Sequence, residues 1–206
     1  TADATVRGIG AAHLTGAVRV PARPLDLAAW RALDASAVDA LALVIDEVTV
    51  DAALARALGL GRARGTVAAT VTATAGLRTV EARLDARDLI AGPLQAPITA
   101  AVVARADDRG LEATAEVGLG GRPLATIAAR APTPLPALLA GTTPPSAVAL
   151  GGSIALVKGD VATLTQALGQ PRRISGQVEG TGTLAGTVGA PTAAVALVVT
   201  DLGARP

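Results

Sequence analysis

Apolar and polar residues alternate along most of this chain, and glycine, proline or paired acids interrupt the alternation at short intervals. Side chains two apart share one face of a strand, so each alternating run predicts a strand with one apolar side. Leu41 to Val50 is such a run, with Leu41, Leu43 and Ile45 on one face. Thr66 to Ala73 and Thr79 to Ala86 predict a strand pair around Ala75-Gly76. Ile98 to Ala106, Leu111 to Leu119 and Pro123 to Ala131 predict a meander. Its turns are Asp107-Asp108-Arg109-Gly110 and Gly120-Gly121, both suited to hairpins. Val6 to Val20 reads as a glycine-interrupted strand pair, stopped by Pro21 and Pro24, which have no N–H to give a ladder. Leu150 to Val157 resumes strand, and Ile174 to Leu202 reads as strand, tight turn, strand.

The period changes in three places. Val50, Ala53, Leu54, Ala57 and Leu58 follow the 3.6-residue rule, and Gly59 stands where a helix ends in a left-handed residue. Asp160 is a predicted N-cap, Val161, Leu164 and Leu168 form the stripe behind it, and Gly169 ends it. Leu25 to Leu33 predicts a short plug helix whose Leu27, Trp30 and Leu33 cover one end of a sheet. Helices this short are marginal alone and must lie on a sheet. Ala131 to Pro145, with its prolines, reads as an irregular crossing segment. The expectation is an all-β fold with two or three short helices, and not a parallel α/β enzyme fold.

A displacement of 110 residues aligns Leu14 with Leu124, Pro24-Leu25 with Pro134-Leu135, Leu54 with Leu164, and Ala57-Leu58-Gly59 with Ala167-Leu168-Gly169. Gly65 meets Gly176 after one inserted residue, and Asp88-Leu89 meets Asp201-Leu202 after two more. The common order of these landmarks predicts an internal repeat. Residues 1–40 then end one copy, 41–150 form a full copy and 151–206 begin the next. The chain opens on Thr1, and the expectation is a fragment of a longer protein.

Composition narrows the function. Half of the 206 residues are apolar, yet Phe, Tyr, Met and Cys are absent and Trp30 is the single aromatic. Small side chains suit thin, repetitive sheet layers better than a deep core, which aromatics usually fill; a genome rich in Ala, Arg, Gly and Val codons gives the same composition. The formal net charge of +1 is scattered, with no basic stripe and no aromatic platform for nucleic acid. Without cysteine there are no disulfides and no thiolate metal sites. No run approaches the roughly 20 apolar residues of a spanning helix.

Catalytic chemistry finds little support. His13 is the single histidine, so a histidine-based metal site lacks partners. A triad would need His13 with Ser36, Ser146, Ser153 or Ser175. Gly151-Gly152-Ser153-Ile154-Ala155 half matches a nucleophile elbow, but no helix pattern follows it. Gly180-Thr181-Gly182-Thr183-Leu184-Ala185 satisfies a dinucleotide pattern formally, yet Gly186, Gly189 and Pro191 would break the helix it needs. Asp46-Glu47 and Asp107-Asp108 read as a strand edge and a solvated hairpin tip rather than a catalytic pair. Arg62 and Arg64, like Arg172 and Arg173, lie between a helix and the next strand, where they solvate a loop or sit near lipid headgroups. The expectation is a non-enzymatic protein without cofactor or metal.

Each copy runs strand, short helix with Ala-Leu-Gly, basic turn, Gly-Thr-Val or Gly-Gln-Val, and a strand pair closing on Asp-Leu. This plan resembles the repeats of the TamB and AsmA-like proteins of diderm bacteria. Gly176 to Leu202 carries the most specific part, with Gly-Thr-Leu, Gly-Thr-Val, Ala190-Pro191 and Asp201-Leu202; Gly65 to Leu89 matches without the proline. Ala131 to Leu139 is similar to the family's proline-leucine link. The resemblance implies an elongated sheet curved into an open trough, the β-taco, apolar inside and polar outside. It implies a periplasmic location, an inner-membrane anchor outside these residues, phospholipid acyl chains moving toward the outer membrane, and a barrel partner in outer-membrane protein assembly. Leu41, Leu43, Ile45, Val67 and Val71 would then line one wall of the lipid groove. The same alternation would also serve a closed sandwich core, and a structural or adhesive β-repeat module binding proteins through sheet edges is the alternative function.

Overall fold

The computed structural model describes residues 2–6, 10–18, 37–57, 63–74, 76–92, 94–170 and 174–204. The plug helix expected over Leu25 to Leu33, with Trp30, lies outside them, as do Leu58, Gly59, Arg62, Arg172 and Arg173. Eleven strands follow one another: β1 (Ala2–Val6), β2 (Gly10–Val18), β3 (Val38–Val50), β4 (Ala63–Thr74), β5 (Thr79–Ala91), β6 (Ile98–Ala106), β7 (Leu111–Leu119), β8 (Arg122–Ala131), β9 (Gly151–Asp160), β10 (Ile174–Thr187) and β11 (Ala190–Ala204). They form one sheet in sequence order, each antiparallel to the next. The sheet does not close, because β1 and β11 are its two edges. The all-β expectation holds, and the predicted meander agrees with β6, β7 and β8 to within a residue. The strand pair expected over Val6 to Val20 is corrected: Gly10–Val18 is a single strand, and its hairpin partner is Ala2–Val6.

Local chemistry explains the turns. Asp107 N–H donates to the Gly110 carbonyl at 2.9 Å, and its carboxylate accepts from Arg109 N–H at 2.8 Å. Gly120 and Gly121 take φ of 58° and 78°, the doubly left-handed turn whose twist matches two antiparallel strands. Interior irregularities are as ordered as the turns. Register shifts by one residue between Ile45 and Val48 on β3, so Asp46-Glu47 forms a bulge in an inner strand, not a strand edge. Bulges of this kind bend a strand and raise its local twist.

Short helices lie at the strand ends. The first, α1 (Ala52–Ala57), joins β3 to β4. The stripe expected there rests on side chains outside the described set, Val50 apart; within it, Ala55 is buried against Val50 and Ala63, and Val67 packs on that cluster. The crossing segment is partly regular, which corrects its reading as irregular: α2 (Leu135–Leu139) buries Leu135, whose N–H donates to the Asp107 carbonyl at 2.9 Å, and a 3-10 turn follows at Pro145–Ala147. Pro134 and Pro136 suit a helix start, where no N–H partner is required. In α3 (Val161–Ala167) the Asp160 carboxylate accepts from Ala162 N–H, as its N-cap position predicts. The predicted stripe is corrected: Ala162 and Ala167 are buried while Leu168 is exposed, because small side chains allow the helix to lie close to the sheet.

Burial follows these helices. Val50, Ala63, Ala86, Leu119 and Ala125 are buried at the strand ends near α1 and α3. Ala37, Ala73, Ala106, Ala131 and Val148 are buried at the opposite ends, near α2 and the 3-10 turn. No large side chain among the described residues is fully buried, and strands pack substantially against their sheet neighbours alone. The closed sandwich that the alternation would also allow does not form.

One pair of glycines carries particular strain relief. Gly65 and Gly176 have φ of 152° and 146°, and an added Cβ would lie 2.8 Å from the Arg87 carbonyl oxygen in the first case and 3.0 Å from that of Thr200 in the second. Replacing either with alanine should lower stability by about 1–3 kcal/mol, since both backbone region and space forbid the methyl group. Gly151→Ala, with open space around it, should change stability by less than about 0.5 kcal/mol. Urea denaturation of the three variants measures the contrast.

Candidate functional site: the apolar face of the sheet

Residues directly opposite one another on neighbouring strands project to the same side, so the register sorts the side chains of the whole sheet. One row runs Ile45, Ala69, Leu84, Val102, Ala115, Ile127, Ile154, Gly182 and Val195 across β3 to β11. The next row runs Leu14, Leu43, Val71, Ala82, Ala104, Ala113, Ala129, Gly152, Leu184 and Ala193. Neither row contains a polar side chain. Alternation within each strand and pairing between strands thus gather most of the large apolar side chains on one side, with Val44, Val103 and Val198 among the exceptions on the other.

The other side is polar. A row leads from Thr72 on β4 to Glu81, Arg105, Glu112 and Arg130, alternating in charge across the four strands β5 to β8. Arg105 pairs with Glu81 at 3.6 Å and with Asp107 at 3.5 Å. On the same side Arg83 donates to Asp85 at 2.9 Å. That hydrogen bond holds the Asp85 carboxyl below the usual carboxylate range, with partial desolvation opposing it, and raises the guanidinium pKa of Arg83. Exposed pairs of this kind fix solubility and register more than stability.

Among the described residues no second layer lies over the apolar side. Leu84 is 37% exposed in mid-sheet, and at the β11 end Leu197 reaches 58%. The two strand-end margins are covered by the short helices, so the uncovered strip runs across the strands from β2 toward β11. At about 4.8 Å per strand its length is roughly 45 Å along the sheet. Small residues keep it shallow. Gly180 leaves space into which Leu156 of β9 and Leu197 of β11 lean, 3.2 and 2.7 Å from where a Cβ would stand.

Leu41, Leu43, Ile45, Val67 and Val71 all fall on this side. Leu41 is exposed and Leu43, Ile45 and Val71 are half-buried in the strip, whereas Val67 joins the cluster at the α1 margin. Leu84, Val102, Ile127 and Ile154 occupy the middle of the strip and were not singled out by sequence; counting two-residue steps away from the Asp107–Gly110 turn identifies them. Elsewhere the structure keeps apart the residues that a catalytic triad would need together. His13 Nε2 lies 3.0 Å from Asp46 Oδ2, an exposed pair beside the β3 bulge. Ser153 and Ser175 stand on β9 and β10, seven and eight strands away in the sheet, and Ser36 lies outside the described residues. Ser146 carries its carbonyl to Gly189 N–H, beside the β10–β11 hairpin. Gly180–Ala185 is continuous strand, with no helix N-terminus after it. Arg64 is an exposed residue near the start of β4. An open hollow of about 650 Å³ holds Arg105, Arg109 and Arg130 together with Asp107 and Glu112, so its charges are largely offset. Among the described residues no group of three or more His, Cys, Asp or Glu could hold a metal, and no helix is long and apolar enough to cross a membrane.

Val102 and Val103 are chain neighbours on opposite sides of β6. Val102→Asp should quench the fluorescence that an apolar dye such as anilinonaphthalene sulfonate gains on the native sheet, at a cost of about 1–3 kcal/mol for an unpaired half-buried polar group. Val103→Asp should leave dye binding unchanged and stability within about 0.5 kcal/mol. Dye titration and circular dichroism of the two variants separate an open strip from a packed core.

Compared with protein-family models, with curated proteins and with solved structures, the chain matches none.

Proposed function

We propose that this protein is a segment of a non-enzymatic lipid conduit, in which phospholipid acyl chains lie on the apolar side of the sheet and move across its strands. The observation that carries the reading is the uncovered strip: apolar rows cross the strands from β2 to β11 without a polar interruption, and the opposite side carries a charged row across β5 to β8. Each CH2 taken from water onto such a surface gains up to about 0.8 kcal/mol. A surface of Ala, Gly, Val and a few Leu or Ile offers that gain evenly, with no deep pocket to arrest a tail. The headgroup stays in water at the open side. Lipid transport of this kind needs no catalytic group and no cofactor.

The same proposal covers place and organisation. The conduit lies in the periplasm between inner and outer membrane, held by an anchor outside these residues, and meets a barrel partner at the outer membrane. Its sheet is built from repeats of about 110 residues. Supporting the repeat, the β3–β4 and β9–β10 pairs bulge at equivalent places, with Ile45 opposite Ala69 and Leu156 opposite Gly180. Supporting it further, Asp88 and Asp201 share φ of 52° and 53° beside Gly65 and Gly176. The bulge register equates Leu14 with Ile127 rather than with Leu124, since each faces the equivalent residue, Leu43 or Ile154. A second reading, a repeat module that binds proteins through its edges, draws on the exposed β11.

The test is lipid itself. Protein purified from membranes under mild detergent should release phospholipid on organic extraction, and should carry a fluorescent phospholipid between vesicles. Val71→Asp should reduce transfer at least tenfold while the strand signal in circular dichroism persists. A native sheet that neither holds nor transfers phospholipid would rule the conduit out.

A further inference from the structure

The edge at β11 is unlike an ordinary edge. It is 15 residues long and exposed almost throughout. Its sequence APTAAVALVVTDLGA has no lysine, no charge before Asp201, and a single proline at its second position. Natural proteins blunt sheet edges with short strands, lysine, proline or an inward charge, because a bare edge templates further pairing. The opposite edge, β1, has five residues. This edge lacks the features that discourage pairing.

The interior of the same sheet shows what pairs there. Gly65 lies against Arg87, Asp88 and Leu89, and Gly176 lies against Thr200, Asp201 and Leu202 in the same order. The strand pair β10–β11 therefore repeats β4–β5, and Leu84 of β5 corresponds to Leu197 of β11. On its far side β5 is covered by β6, with Leu89 opposite Ile98 and Val80 opposite Ala106. Direction agrees with this. Eleven antiparallel strands leave both edges running the same way, so β1 of a second copy would meet β11 in parallel if the sheet simply continued. One strand of β6 type restores the antiparallel ladder.

We infer that the outer edge of β11 is an acceptor for a single antiparallel strand patterned like β6, with small apolar residues at alternate positions. The register follows from β5: the position equivalent to Ile98 lies opposite Leu202, that of Val102 opposite Leu197, and that of Ala106 opposite Ala193. In this register the apolar side of the incoming strand extends the uncovered strip by one strand. The acceptor site is independent of whether lipid travels along that strip.

The chain has no cysteine, so single cysteines report contact cleanly. The probe is a synthetic peptide of residues 97–107, offered to the full 206-residue chain carrying Ala196→Cys. Ala196 corresponds to Arg83, which faces Val103. A peptide with Val103→Cys should bind saturably and form a disulfide at least tenfold faster than one with Arg105→Cys. N-methylation of alternate peptide amides should abolish binding in one of the two possible sets and spare the other, because successive N–H groups of a strand point to opposite sides. Absence of saturable binding, equal cross-linking from both cysteine positions, or equal tolerance of both methylated sets would each overturn the proposal. Phospholipid binding measured on the same variant separates failure of the edge from failure of the conduit.

Discussion

Strand-to-strand hydrogen bonding is what holds this molecule together. In a two-layer sheet protein, side chains from facing layers interlock and the ladder is one contribution among several. Here strands meet substantially only with their neighbours in the sheet, and the buried residues gather at the strand ends. Backbone pairing, cross-strand side-chain contacts and the short helices at the margins must therefore keep the strands in register. A single slip by one residue would turn a whole apolar row to the polar side. The charged row through Glu81, Arg105, Glu112 and Arg130 works against such a slip, because the next register would set these groups among alanines and valines.

That dependence explains the recurrence of irregular positions at equivalent places. Gly65 with Asp88, and Gly176 with Asp201, each make a bulge in a strand pair next to a helix. A bulge turns the strand more sharply than regular pleating. Placed at the same end of each strand pair, it directs the chain toward the helix that covers that margin. The positive φ of Asp88 and Asp201 is tolerated because a short polar side chain enters the left-handed region more readily than most.

Composition matches the uncovered side. A sheet with one side uncovered cannot carry large aromatics there without inviting collapse or association, and this chain has none apart from Trp30. Alanine and glycine leave the strip shallow, while leucine and isoleucine at intervals supply apolar area. The polar side, with threonine, arginine and glutamate, keeps the sheet wetted. A surface of this construction suits long, flexible apolar ligands better than compact ones, because contact is spread over many weak points.

Period and punctuation determined much of the fold. Alternation marked nearly every described strand, Asp107–Gly110 and Gly120-Gly121 marked the tight turns, and Asp160 marked a helix start. Leu41, Leu43 and Ile45 were legible as one side of β3, and Val67 and Val71 as one side of β4, because parity along a strand is local information; that the two sets share a side was set by the register between the strands. Which helix residues would be buried was not legible: Ala162 and Ala167 displaced the expected Leu168, since the distance between helix and sheet is set by the strands on either side. The bulge at Asp46-Glu47 was hidden for the same reason, being a mismatch between two strands rather than a property of one. Whether the apolar sides would meet or remain apart was likewise beyond local pattern, because an alternating strand is equally content in a sandwich. Only the order of the eleven described strands in one unclosed layer decided that, by leaving no second layer among the described residues to cover them.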